Sequence, residues 1–224
     1  ARYQRITDQS LEQAGFPKDL VQIINGYGDT GAALVRAGVQ KILFIGSVNN
    51  GRRIIEGSAE HLTPVVMELG GKDPFIVCAD ADMERAVHSA LGGSFINLGQ
   101  NCIAAERLLV FDTVYDRFVT ELVRHASALR QGVPDRHGNV DVGAITSPLQ
   151  IEVIDRLVWN AIQQGARALC GGALRHGGNG QFYPPTILVD VTPDMEIACR
   201  EVFGPVMLVF KVRNEAEAIE MANG

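Results

Sequence analysis

KILFIGSVNNG, residues Lys41–Gly51, carries the signals on which the fold class turns. Ile42, Leu43, Phe44 and Ile45 form a nearly continuous apolar run, the pattern of a buried strand in a parallel sheet. Gly46 breaks the run, and Gly46-Ser47-Val48-Asn49-Asn50-Gly51 reads as a tight turn. Arg52–His61 then takes helical spacing. Strand, turn and helix in close succession are the unit from which α/β sheets are built.

The same alternation extends in both directions. Upstream, residues 5–14 predict a helix that Gly15-Phe16-Pro17 stops. Val21–Ile24 predicts a strand and Thr30–Ala37 a short helix. Downstream, Val65–Leu69 predicts a strand, and the pattern restarts after Gly70-Gly71-Lys72-Asp73-Pro74. Phe75–Cys78 is then a short strand. Asp80 and Asp82 supply capping groups for a helix reaching about Asn97. Its apolar stripe is Met83, Val87, Ala90, Leu91, Phe95 and Leu98, at three-and-four spacing. Strand Leu108–Phe111, helices Val114–Leu129 and Pro148–Gln164, strands Thr186–Val189 and Val206–Val212, and helix Glu215–Ala222 complete the pattern. Alternation at this spacing argues for an open α/β sheet with helices packed on it. No internal repeat or low-complexity linker interrupts it. Gly70-Gly71 is the best boundary candidate, dividing the chain into two unequal α/β units.

Composition excludes several classes of function. The 224 residues are 46% hydrophobic and carry a net charge of −6, enough for one substantial core or one domain plus part of another. The basic residues are scattered, which argues against a nucleic-acid surface. No apolar run approaches the roughly 18–20 residues that cross a bilayer, so no membrane span is evident in this segment. Cys78, Cys102, Cys170 and Cys199 form no C-x-x-C pair. His61, His88, His125, His137 and His176 are equally dispersed. A disulfide framework or metal site would need clustering, so no metal is expected and a reduced, cytoplasm-like compartment is. The chain begins at Ala1 without a signal pattern and stops at Asn223-Gly224 beyond a helix-like stretch. It therefore reads as the middle section of a longer protein.

Three places could carry chemistry. The Gly46-Ser47 turn precedes a helix, where bared backbone N–H groups suit an anion such as a dinucleotide pyrophosphate. Two glycines also make an ordinary strand-to-helix turn. Glu68 ends the apolar strand Val65–Leu69. A carboxylate among apolar neighbours is tuned upward from about 4.3, as a general base at neutral pH requires. It could equally face solvent or pair with Lys72. The third place is Cys102, in GQNCIAAER (Gly99–Arg107), a polar, glycine-led loop between apolar segments. A small thiolate fraction there would be a strong nucleophile, and neighbouring backbone amides could hold an oxyanion. The contrary reading is a small, buried, inert cysteine, as Cys78, Cys170 and Cys199 are expected to be.

Taken in order, Phe44-Ile45-Gly46-Ser47, Glu68-Leu69-Gly70-Gly71-Lys72, Gly99-Gln100-Asn101-Cys102 and Glu201-Val202-Phe203-Gly204-Pro205 resemble the aldehyde dehydrogenase superfamily. The resemblance runs from Ala14 almost to the end of the chain. It implies the remnant of a Rossmann-type cofactor domain over 1–70 and an α/β catalytic domain with a parallel sheet over 71–224, both truncated. It also implies oxidation of an aldehyde to a carboxylic acid with NAD, or NADP, as the hydride acceptor. Cys102 would be the nucleophile, and Glu68 the base that hydrolyses the thioacyl enzyme. Glu201 would bind the nicotinamide ribose with Phe203 beside the ring. Gly46 and Ser47 would lie near the pyrophosphate, and Gly71 and Lys72 behind Glu68. Family members that pass the acyl group to coenzyme A generally lack that glutamate, so its presence favours a free acid. Ile45 stands where relatives often carry threonine, and Asn49-Asn50 where they carry apolar or charged residues. The oxyanion asparagine, the adenosine-ribose residues and the segment that closes the tunnel and pairs subunits are expected outside this chain. A homo-oligomer is expected at full length, and no activity from residues 1–224 alone. Two other readings fit the residues less well. A non-catalytic relative has no need to keep Cys102, Glu68 and Glu201 together, and a cysteine hydrolase needs a histidine that none of the four motifs contains.

Overall fold

The computed structural model describes residues 2–17, 19–133, 136–174 and 181–224. Ala1 and His176, named above, lie outside the described residues. The chain divides into two compact units, Ala1–Leu69 and Gly70–Gly224.

In the first unit, helices α1 (Arg2–Gln13) and α2 (Gly28–Arg36) precede strand β1 (Ile42–Gly46), helix α3 (Val48–Ser58) and strand β2 (Val65–Leu69). β1 and β2 pair in parallel, with Ile45 opposite Glu68 and Gly46 opposite Leu69. The expectation of a buried strand is not met: Ile42, Phe44 and Gly46, on the covered face, are only half-buried. Helix α3 packs on the pair, while Leu43 (65% exposed) and Ile45 (71%) lie open on the alternate positions of β1. Two strands and one covering helix leave a sheet half dressed. Val21–Ile24, expected to be a strand, is irregular. Among the described residues β1 and β2 pair only with each other, and an apolar run without a partner ladder has no means of satisfying its backbone as a strand.

The second unit is organised around a five-stranded sheet, in the order β3-β4-β7-β6-β5. Its strands are β3 (Asp73–Val77), β4 (Ala105–Phe111), β5 (Arg167–Cys170), β6 (Thr186–Val189) and β7 (Val206–Val212). β3, β4, β7 and β6 run parallel, and β5 closes one edge antiparallel to β6. The sequence gives no alternation for Arg167–Cys170, because this strand is specified by its partner rather than by its own pattern. Helices α4 (Met83–Phe95) and α5 (Asp112–Ser127) pack together and against the sheet. Their core holds Val87, Ala90, Phe95, Phe118 and Leu122 with Leu108, Val110 and Val209. Helix α6 (Pro148–Gln163) and the short α7 (Glu196–Cys199) belong to the second core, with Ile154, Leu157, Leu188, Leu208 and Tyr183. Helix α8 (Glu215–Asn223) ends the chain. Core strands with no exposed position, such as Thr186–Val189, are what a sheet covered on both faces demands. Among the described residues, no helix is long and apolar enough to cross a membrane.

Candidate active site

Gly46 and Ser47 follow β1 directly, and Ser47 is the N-cap of α3, its hydroxyl accepting from Asn50 N at 3.4 Å. The bared amides of this helix start therefore stand at the C-terminal end of a parallel strand, the position where α/β sheets bind anions. Glu68 lies at the same end of the neighbouring strand, one residue before the partner of Gly46. It is exposed, on the alternate face of β2 with Val66.

The remaining motif residues belong to the second unit. Segments 70–72, 99–104 and 201–205 lead into β3, β4 and β7 respectively. Those three strands are adjacent and parallel, so the three entry segments must meet at one edge of the sheet. This is the N-terminal edge, opposite to the usual crevice of doubly wound folds.

Cys102 is placed by an unusual reversal. After α4 ends, Asn97 (φ +52°), Leu98 (φ +58°) and Gly99 (φ +66°) are all left-handed, and the side chain of Leu98 is buried in the core. Backbone in this region is costly for non-glycine residues and persists only when neighbours hold it. The neighbours are evident. Asn97 Nδ2 donates to Gln100 O at 3.1 Å, and Gln100 Nε2 donates back to Asn97 O at 3.0 Å. Gln100 Oε1 accepts from Thr146 N at 2.8 Å. Ser94 Oγ donates to Ala105 O at 2.5 Å, beneath the loop. At the tip Cys102 is exposed, with Sγ 3.8 Å from Asn101 Oδ1. It is not a packing cysteine. Cys78 and Cys199, expected to be buried, are exposed as well, and Cys170 is half-buried. Cys78 follows the last residue of β3, and Cys199 closes a helix of four residues, so neither has enough structure over it to be covered.

Glu201 and Phe203 flank a residue whose backbone is held from within the sheet. The carboxylate of Glu106, on β4, accepts from Val202 N at 2.9 and 3.0 Å and from Phe203 N at 3.0 Å. The same carboxylate is ion-paired with Lys72 Nζ, both side chains being at least nine-tenths covered. Phe203 is left-handed at φ +50°. Burial pushes the Glu201 carboxyl above its ordinary range; the Glu106 charge adds to this and Lys72 opposes it. Burial pulls the Lys72 ammonium down, against the attraction of Glu106. The sequence reading missed Glu106. Its signal was a charged pair, Glu106-Arg107, at the head of the apolar strand AERLLVF, and buried charges are rare unless paired. Among the described residues, no cluster of three or more His, Cys, Asp or Glu side chains could hold a metal ion.

The aldehyde dehydrogenase family model matches residues 6–224. The chain belongs to the aldehyde dehydrogenase family. It is 39% identical over 216 residues to an aldehyde dehydrogenase of Emericella nidulans, covering 95% of this chain and 43% of that one. It is 40% identical over 214 residues to a betaine aldehyde dehydrogenase of Cereibacter sphaeroides, covering 95% and 44%. Among solved structures, an NAD+ complex of the aldehyde dehydrogenase from Bacillus cereus superposes with a TM-score of 0.92 at 36% identity, covering 96% of this chain and 44% of that chain. The chain thus spans less than half the length of these aldehyde dehydrogenases. The α/β fold anticipated from the four ordered motifs is the aldehyde dehydrogenase fold in truncated form.

Proposed function

We propose that the protein oxidises an aldehyde to a carboxylic acid, using NAD+ or NADP+ as hydride acceptor and Cys102 as nucleophile. The observation that carries this reading is the exposed Cys102 on a braced loop at the sheet edge shared by the Glu201–Pro205 segment. On this reading residues 1–70 contribute to the cofactor domain and residues 71–224 to the catalytic domain. On the same reading the capped helix start at Gly46-Ser47 would take the pyrophosphate, and Glu201 the nicotinamide ribose, with Phe203 beside the ring. When bound, the nicotinamide supplies the acceptor for a hydride.

The chain's own residues do the rest. The Cys102 thiolate adds to the aldehyde carbon, giving a thiohemiacetal whose oxyanion the Cys102 N–H is suited to hold. A preorganised donor of this kind typically contributes about 10²–10³ in rate. Loss of hydride from that carbon leaves a thioester on Cys102. Glu68 then takes a proton from water, hydroxide adds to the thioester carbonyl, and the acid leaves as the thiolate returns. Separating nucleophile from base is necessary, since the sulfur is occupied throughout hydrolysis.

Steady-state and rapid-mixing assays of the full-length enzyme test the assignment. Cys102→Ala is expected to abolish NAD(P)H formation from aldehyde while cofactor still binds. Substantial residual turnover would remove Cys102 as nucleophile. Glu68→Gln is expected to keep a burst of NAD(P)H and lose steady turnover; loss of the burst would move Glu68 into the hydride step.

A further inference from the structure

We infer that Glu106, with Lys72, is a positioning residue that holds Glu201 and Phe203 in the geometry needed to grip the nicotinamide riboside half of the cofactor. This rests on the functional reading above. Glu106 is 2% exposed and lies on β4, one strand in from the sheet edge, between β3 and β7. Its carboxylate collects the three donors Lys72 Nζ, Val202 N and Phe203 N. Both backbone donors come from the residues immediately after Glu201, so the carboxylate fixes the peptide planes from which the Glu201 and Phe203 side chains project.

The clamp accounts for two features that are otherwise costly. Phe203, a bulky residue, sits at φ +50°, a strained conformation that persists only when its surroundings impose it. Hydrogen bonds from two backbone N–H groups to one carboxylate supply that constraint, since hydrogen bonds to a charged group are about twice as strong as neutral ones. Lys72 in turn balances a charge that would be intolerable alone in this core. Glu201 lies in the field of both partners, and its carboxyl is pressed against Gly70, where a Cβ would stand 1.9 Å from Oε2. The Lys72–Glu106 pair thus ties the segment before β3 to the segment before β7 through a residue of β4. Neither Glu106 nor Lys72 needs to touch the cofactor for this role.

The test is calorimetric titration of the full-length enzyme, free of substrate, with NAD+ and separately with ADP, which lacks the nicotinamide riboside. Hydrogen exchange at Val202 and Phe203 is followed in the cofactor-free protein. For Glu106→Gln the expected result is a loss of about tenfold in NAD+ affinity, ADP affinity within twofold of the parent, and faster exchange at residues 202 and 203. Should that variant fail to fold, Lys72→Met is expected to give the same split. Equal losses for NAD+ and ADP, no loss for either, or collapse of both variants would overturn the proposal and leave a structural clamp. A parent enzyme that binds neither ligand would instead defeat the dinucleotide reading itself.

Discussion

Gly99 presses its Cα against the carbonyl of Gly204, so closely that a methyl group built there would stand 2.2 Å from the oxygen. The two residues are far apart in sequence and belong to different motifs, yet this approach locks the cysteine loop to the Glu201–Pro205 segment. The absence of a side chain at Gly99 is therefore a requirement of the site and not only of the turn. Its φ of +66° adds a second reason for glycine.

Gly99→Ala is accordingly expected to be damaging. The clash is with backbone, which cannot swing aside, and alanine at this φ adds strain of its own. A loss of about 2–4 kcal/mol is expected in chemical denaturation. Alkylation of Cys102 by iodoacetamide should also change rate as its loop shifts, while the exposed Cys78 and Cys199 serve as internal references.

Gly70→Ala should behave differently. Here the obstructing atoms are the end of the Glu201 side chain, at 1.9–2.3 Å from the new methyl, and a flexible end can move. Stability is expected to fall by about 1 kcal/mol or less, while NAD+ affinity falls more than stability does. Titration calorimetry beside thermal denaturation separates the two effects.

Much of this organisation is written in local sequence, and the part that is not has a physical cause. Val206–Val212 is a strand over the range its apolar run predicts, and Met83–Phe95 caps on Asp82 as the acidic start implies. Both are decided by residues within a few positions of one another. Arg167–Cys170 is a strand only because Ile187–Val189 pairs with it, and Val21–Ile24 is not one because no ladder among the described residues reaches it. The role of Glu106 depends on partners 34, 96 and 97 positions away. Cys102 was legible as a nucleophile candidate from its polar loop, but the left-handed run that braces it was not. Leu98 reads as an ordinary member of the α4 stripe, and its positive φ is imposed by the reversal it helps to form.

Acid should loosen α7 before the rest of the second core. Hydrogen bonds from Arg156 and then Arg200 hold the Glu196 carboxyl down at about 2, against a usual 4.5. A depressed folded value means stability that is complete above 4.5 and is lost as pH falls towards 2. The ion pairs are exposed, so the effect is expected to be below about 1 kcal/mol after solvent screening. Glu196→Gln should flatten the dependence of melting temperature on pH across that window and leave it unchanged near neutrality. An unaltered acid slope would show that the pair contributes nothing.

Arg107 gives the sharpest stability test outside the cysteine loop. Its guanidinium donates to Lys72 O, Met221 O and Ala222 O, each at 2.8 Å. Two of these acceptors are carbonyls in the last turn of α8, which have no partner within the helix, and a cation there also suits the helix dipole. One side chain thus fastens α8 to the strand from which the Glu106 clamp also projects. Arg107→Met keeps the aliphatic stem and removes all three donors. A loss of about 2–3 kcal/mol is expected, with hydrogen exchange rising in α8 and staying level in α5. Arg107→Lys should recover less than half of it, because one ammonium cannot span the carbonyls that a planar guanidinium bridges. Full recovery by lysine would reduce the role of Arg107 to its charge.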